Sequence, residues 1–291
     1  MFAQNTKPIS CAPATYASRC VVLAVATVMI IGLQSNIALG KSPLGQRWPA
    51  SQRVAMNEID HTRFDQVLKK YVDKNGFVDY SALQRSSAGR RDLKAYLSEL
   101  SRASPGKRSS REAKLAFWIN AYNAVTLEGI LQVYPTTSIR NHTARVFGYN
   151  IWKELPLIVG GGQHSLENIE HQILRKMGEP RIHFAIVCAS IGCPRLRNEA
   201  YTASQLDQQL SDNVRDFFTR SKHFRFNAKR RTMQVSSILK WFGEDFGRTQ
   251  VARFTYLQKY LPQPARKIAV DSRTRITYLD YDWNLNDKPH R

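Results

Sequence analysis

The sequence predicts an α+β protein: one mixed domain with a buried central helix, a helix-rich first half and a small β-sheet. Three observations carry that prediction. The run Glu112–Tyr134 places Leu115, Phe117, Trp118, Ile119, Tyr122, Val125, Leu127, Ile130 and Leu131 on almost every side of a 3.6-residue helix, the pattern of a helix enclosed by the rest of a domain. Phe224 and Phe226 alternate with polar residues, as do Met233 and Val235, so the two runs pair as a hairpin across Asn227–Arg231. Helical and strand-like segments mix without a βαβ rhythm, and no internal repeat is visible.

The elements follow in order. Phe64–Val72 has helical spacing, and Asp73-Lys74-Asn75-Gly76 makes a tight turn before Phe77-Val78-Asp79-Tyr80. A calcium loop fails there: with Gly76 at loop position six, positions one and twelve fall on Tyr71 and Ala82, which offer no carboxylate. Arg85–Arg91, rich in Ser, Gly and Arg, reads as a loop, and Asp92–Ser101 as a helix. The central helix ends at Pro135. Ile151–Val159 suggests a strand closed by Gly160-Gly161-Gly162. Ser165 caps a helix over Leu166–Met177, with Glu167 in the first turn where the dipole favours an acid. Arg181–Cys188 is an apolar run of strand length, Gln205–Phe218 an amphipathic helix, and Ser236 or Ser237 caps a short helix through Trp241 and Phe242.

The first forty residues read as a cleavable signal peptide. Lys7 and Arg19 stand there with no acid, an apolar run covers Val21–Leu33, and Ala38-Leu39-Gly40 offers small residues for cleavage. The apolar run is shorter than the roughly 20 residues of a membrane-spanning helix, so no membrane span is expected after cleavage. The expected order is a signal peptide over 1–40, a flexible leader over 41–58 and the folded domain over 59–291, in a periplasmic or secreted protein. Export removes Cys11 and Cys20 and leaves Cys188 and Cys193, a pair that an oxidising compartment can close into a disulfide.

Lys and Arg number 43 against 23 Asp and Glu, a net charge of +20. Such a protein is drawn to anionic partners. Export turns that expectation from nucleic acid towards an anionic envelope polymer or glycolipid, met by the basic face. The basic hairpin residues Arg220, Lys222, Arg225, Lys229, Arg230 and Arg231 read as a solvated surface, because alternation turns Phe224 and Phe226 to one inner face.

Several strings then line up. They are Asn75-Gly76-Phe77-Val78-Asp79-Tyr80; Ala116-Phe117-Trp118-Ile119-Asn120-Ala121-Tyr122-Asn123-Ala124; Ser165-Leu166-Glu167-Asn168-Ile169-Glu170-His171; Arg181-Ile182-His183-Phe184-Ala185 running to Cys188-Ala189-Ser190 and Gly192-Cys193-Pro194; and Tyr281-Asp282-Trp283-Asn284-Leu285-Asn286. Together they resemble the domain-of-unknown-function 547 (DUF547) family, over about residues 64–286. The resemblance implies no settled activity. The family usually has Ser where Gly192 stands here, so no role needing a hydroxyl at that position carries over.

The residues themselves suggest a thiol nucleophile at Cys193, set on a sharp turn between Gly192 and Pro194. A helical turn beginning at Pro194 would make Cys193 its N-cap and lower its pKa, and Arg195 and Arg197 push the same way. His171 is the expected base, oriented by Asn120 or Glu170. A strand over 182–188 would turn His183 away from Cys188. His183, Cys188, Asn123 and Arg195 are expected around the site as binding residues, with Asn120 and Asn123 on one helix face holding the 188–194 loop. His171, His183, Cys188 and Cys193 suit zinc by type but not by spacing, so no metal and no cofactor is expected. Tyr281–Asn286 reads as a clasp or as a pocket wall. The functional expectation is an exported thiol-dependent hydrolase or acyl transferase; the alternative is a non-enzymatic envelope binding or structural module with a Cys188–Cys193 disulfide.

Overall fold

A computed structural model describes residues 42–143 and 150–288; the expected signal peptide lies outside the described residues. Among the described residues three α-helices precede the central one: α1 (Thr62–Tyr71), α2 (Tyr80–Arg85) and α3 (Ser87–Leu100). α1 buries Phe64, Val67, Leu68 and Tyr71, and Phe64 lies flat on Tyr96 of α3 at 4.8 Å between ring centroids. The loop expected over 85–91 is helical from Ser87, because the Ser86 hydroxyl accepts the Gly89 N–H and caps α3 early.

α4 (Arg111–Leu131) starts at Ser110, whose hydroxyl accepts the Ala113 N–H, and is buried along nearly all its length. Each fully buried apolar side chain on it, such as Phe117 or Ile130, stabilises the fold by roughly 1.5–3 kcal/mol. Buried polar side chains of α4 find partners as well. Arg90 of α3 pairs with Glu128 at 2.9 Å. The Asn120 amide accepts the Tyr201 N–H (2.9 Å) and donates to the Tyr201 carbonyl (2.8 Å). Asn123 accepts the Val187 N–H and donates to the Ala185 carbonyl, both at 3.0 Å. Asn123 thus fixes the segment leading into Cys188.

Next come α5 (Ile151–Glu154) and an antiparallel hairpin of β1 (Leu157–Val159) and β2 (Gly162–His164). The strand expected over 151–159 is therefore only its last third: Asn150 accepts the Trp152 and Lys153 N–H groups and winds 151–154 into a helical turn. At the hairpin tip Gly160 and Gly161 take φ of +60° and +90°, which glycine does freely. α6 (Leu166–Asn168), capped by Ser165 as expected, widens into a π-helical turn over Ile169–Leu174 and tightens again over Arg175–Met177. π-turns concentrate at functional sites, and this one carries Glu170 and His171. The run Arg181–Cys188 is not a strand. Glu179 caps a 3₁₀ helix over Pro180–Phe184, and the chain beyond is held by the Asn123 side chain where a strand would have a neighbour.

α7 (Leu206–Thr219) matches its expected span to one residue. β3 (Phe224–Asn227) and β4 (Thr232–Ser236) form the expected hairpin, Phe224 opposite Val235 and Phe226 opposite Met233. After it come α8 (Ile238–Trp241), α9 (Gly243–Phe246), α10 (Gln250–Leu257) and α11 (Gln263–Ala269), and then β5 (Arg275–Leu279), which joins β4 in parallel. Phe217, Phe218, Phe224, Met233, Phe254 and Leu257 form a second apolar cluster here, beside the one around α4. The fold class is α+β.

The expected free leader is instead tied to the domain. Leu44 exchanges backbone hydrogen bonds with Pro156 and Ile158, Val54 with Arg102 and Ser104, and the Trp48 indole donates to the Ser98 carbonyl. Its polar composition hid these ties because they run through the backbone. Among the described residues no helix is long and apolar enough to cross a membrane.

Candidate functional site

The loop 188–193 is laced to the segment 282–286. The Ile191 N–H donates to Asn284 (2.8 Å), the Gly192 N–H to Asp282 (2.7 Å), and the Asn286 N–H to Ala189 (3.0 Å). A Cβ on Gly192 would stand 2.9 Å from the backbone of Asp282, so the close approach of this segment explains glycine here. Ala189 has φ of +59°, a left-handed conformation costing a non-glycine residue roughly 1–2 kcal/mol. That strain sits between Cys188 and Ser190, where functional sites store it.

Cys188 and Cys193 are free thiols, the first half-buried and the second buried, with their sulfurs 2.7 Å apart. The Cys193 sulfur receives the Cys188 N–H at 3.1 Å and the Tyr281 hydroxyl at 3.0 Å. Ser190 donates to the Tyr281 oxygen at 3.0 Å. A hydroxyl has one proton to give, so Ser190 directs the Tyr281 proton at the sulfur. Burial opposes a thiolate at Cys193, but the hydrogen bonds it receives from Cys188 and from Tyr281, the latter oriented by Ser190, outweigh it and hold this thiol below the usual range. Cys188, which gives its own S–H to Cys193 and is also shielded from water, is pushed up.

These donors replace the ones expected. No helical turn begins at Pro194. Arg195 is held by Asn213, the Lys74 carbonyl and Asp216, and Arg197 by Glu199 and Asn213, so neither guanidinium reaches the sulfur.

The two thiols border a cavity of about 270 Å³ shared with Tyr122, Glu170, His171 and His183. Trp152, Trp241, Phe242, Tyr281 and Trp283 make its aromatic wall, and among the described residues no Lys or Arg lines it. Tyr281–Asn286 is thus both clasp and wall. Glu170 accepts the Tyr122 hydroxyl at 3.3 Å. Burial pushes its carboxyl up to about 7; Tyr122 and Arg175 resist the rise, and Cys193 and Asp245 add to it.

His171 lines this cavity, but among the described residues it makes no hydrogen bond to Cys193; its Nδ1 faces Arg175 Nη1 at 3.3 Å. The expected Cys193–His171 dyad is therefore not formed as a direct bond. Asn120 does not orient either imidazole, because its amide is spent on the Tyr201 backbone. His183 donates from Nε2 to Asp245 at 2.7 Å and stacks on Phe242 at 4.3 Å. The strand argument set His183 and Cys188 on opposite faces; with a 3₁₀ helix at His183 both border one cavity. The four-residue zinc set does not assemble: among the described residues no group of three or more His, Cys, Asp and Glu is arranged to hold a metal. Ser190, Tyr122 and Asp245 were missed. Asp245 lies 62 residues from His183, and its one local signal is an acid set among Trp241, Phe242 and Phe246.

Fold and site together define an α+β protein with a polarised thiol pair at an aromatic cavity. Residues 107–218 match the family model described as "Protein of unknown function, DUF547", the family that the sequence strings resemble. The match runs from before α4 to α7 and includes both cysteines, Glu170, His171 and His183, while Asp245 and Tyr281 lie beyond it. Comparison with curated proteins and with solved structures returned no match.

Proposed function

We propose that the domain is a thiol-dependent acyl transferase or hydrolase with Cys193 as nucleophile. The observation that carries this is the set of donors converging on the Cys193 sulfur at a cavity that also holds a carboxyl poised near neutrality. The Cys193 thiolate adds to an acyl carbonyl carbon, and the carbonyl π electrons move onto oxygen. The tetrahedral species collapses as the bond to the leaving group breaks, and the Glu170 carboxyl gives that group its proton. Glu170, now a carboxylate, takes a proton from water or an acceptor hydroxyl, which attacks the acyl-sulfur carbon and restores the thiolate. Glu170 thus takes the acid–base role that the sequence reading gave to His171. The aromatic wall, with Glu167 and Glu170 as the acids lining the cavity, suits an acyl group without a carboxylate of its own.

The test is acylation of the purified protein by p-nitrophenyl butyrate and by its carboxylate-bearing succinate counterpart, read by intact mass and peptide mapping. A butyryl adduct on Cys193, weaker succinyl labelling, and no adduct in Cys193→Ala are expected. Turnover by Cys193→Ala equal to the parent rejects the mechanism.

The sulfur separation of 2.7 Å favours a second reading, a binding or structural module in which Cys188 and Cys193 are joined. Alkylation without reductant separates the two: blocked thiols favour the module, a reactive Cys193 the enzyme. Export, and docking of the basic face on an anionic envelope polymer or glycolipid, accompany either reading as proposals resting on the first forty residues and the net charge of +20.

A further inference from the structure

We infer that His171 serves as a neutral hydrogen-bond donor to the oxyanion, not as a base, and that Arg175 and Asp245 fix it in that tautomer. The inference rests on the acyl-transfer reading for its catalytic part, and on geometry alone for the tautomer.

A guanidinium has donors and no acceptor. Arg175 Nη1 stands 3.3 Å from His171 Nδ1, so Nδ1 meets it with its lone pair and the single ring proton sits on Nε2. Arg175 is not free to turn away. Its Nε and Nη2 grip both oxygens of Asp245 at 2.7 and 2.8 Å, and its guanidinium lies over the Phe242 ring at 5.4 Å. Asp245 is braced in turn by the His183 Nε2–H at 2.7 Å. Arg175 first and His183 second hold the Asp245 carboxyl well below the usual carboxylate range.

The charged groups acting on His171 are Arg175, Glu167 and Asp245. A second proton on Nδ1 would point at the Arg175 N–H. Burial first, then Arg175, accordingly lowers the His171 pKa, against the weaker pull of the two acids. The ring is neutral near pH 7, with Nε2–H as its remaining polar group, on a residue that borders the cavity beside Cys193.

A base needs a free lone pair on the nitrogen that faces substrate, and this tautomer has none there. It has a donor. When the Cys193 sulfur bonds to the carbonyl carbon and the π electrons move onto oxygen, the Nε2–H can bind that oxyanion with no proton changing owner. Arg175 and Asp245 touch no substrate and are positioning residues.

The test has two arms on the full chain. In ¹⁵N-histidine-labelled protein, NMR is expected to show His171 with Nδ1 unprotonated and Nε2 protonated between pH 6 and 8. Asp245→Asn, which loosens the anchor of Arg175, is expected to admit the other tautomer. A parent His171 protonated on Nδ1 overturns the inference, whether or not Cys193 is the nucleophile. In the second arm, His171→Ala should lower kcat/KM by about 10²-fold, the usual loss of one oxyanion donor, while His171→Gln, which keeps an N–H donor, should recover about tenfold of it. Equal inactivity of the two variants overturns the donor role. Failure of Cys193 acylation would instead remove the acyl-transfer reading and leave the tautomer standing.

Discussion

Replacing Tyr281 by Phe removes one hydroxyl and little else. The ring keeps its places against Trp241 and Trp283, with centroids at 4.9 and 4.5 Å. What disappears is the 3.0 Å hydrogen bond to the Cys193 sulfur. Hydrogen bonds to charged groups contribute about 1.5–3 kcal/mol, and about 1.4 kcal/mol corresponds to one pKa unit. Sulfur is a weak acceptor, and the Ser190 hydroxyl, released from Tyr281, can turn to Cys193 at 3.3 Å. The loss therefore belongs at the low end, about one unit. The donor stabilises the thiolate, so its removal raises the Cys193 pKa. The assay is the pH dependence of iodoacetamide alkylation, followed on the Cys193 peptide by mass spectrometry. The midpoint should move up by about one unit, and by more in Ser190→Ala/Tyr281→Phe, where no hydroxyl remains to compensate. A midpoint that stays in place or moves down in the single variant refutes the account of how this thiol is polarised.

The remaining predictions concern stability. The Glu170 carboxyl is raised in the folded state from 4.5 to about 7, so folded protein keeps a proton that unfolded protein has released. Its contribution is full below pH 4.5 and is lost as pH rises to 7, a decline of about 3 kcal/mol from a shift of about 2.5 units. Glu170→Gln should abolish that decline, so urea unfolding at pH 4.5 and pH 8 should show the parent losing more stability than the variant; parallel losses contradict the raised pKa. Asn123→Ala leaves the Val187 N–H and the Ala185 carbonyl without partners, at about 1–3 kcal/mol each. A urea midpoint equal to that of the parent would show that this amide does not hold the loop.

The sequence made the central helix, the 224–235 hairpin and α7 legible because each has a hydrophobic period that one segment states by itself. It misread 85–91, 151–159 and 181–188 for a common reason. Local side-chain caps at Ser86, Asn150 and Glu179 chose a helical turn where composition suggested a loop or strand. The candidate site follows the same division. The cysteines, Glu170, His171 and His183 were visible as chemistry-bearing residues and do border one cavity. Their partners were not, because Asp245 and Tyr281 reach them across 62 and 88 residues. No spacing rule spans such gaps, and so His171 reads as a base until its contact with Arg175 is seen.

The misread segment also explains how a thiolate can be stabilised here without a helix N-terminus. Backbone N–H groups in a strand are consumed by the neighbouring strand. Between Ala185 and Val187 the chain satisfies its polar groups on Asn123, and at Ala189 it turns left-handed. The Cys188 N–H between them is thereby left to the Cys193 sulfur. Had 181–188 been the strand that its composition suggests, the N–H of Cys188 would have been committed to a ladder, and Cys193 would have lost a donor. The buried amide on α4, the strained Ala189 and the clasp from 282–286 are therefore parts of one device. They keep a short stretch of backbone irregular, and the irregularity frees the group that polarises the thiol.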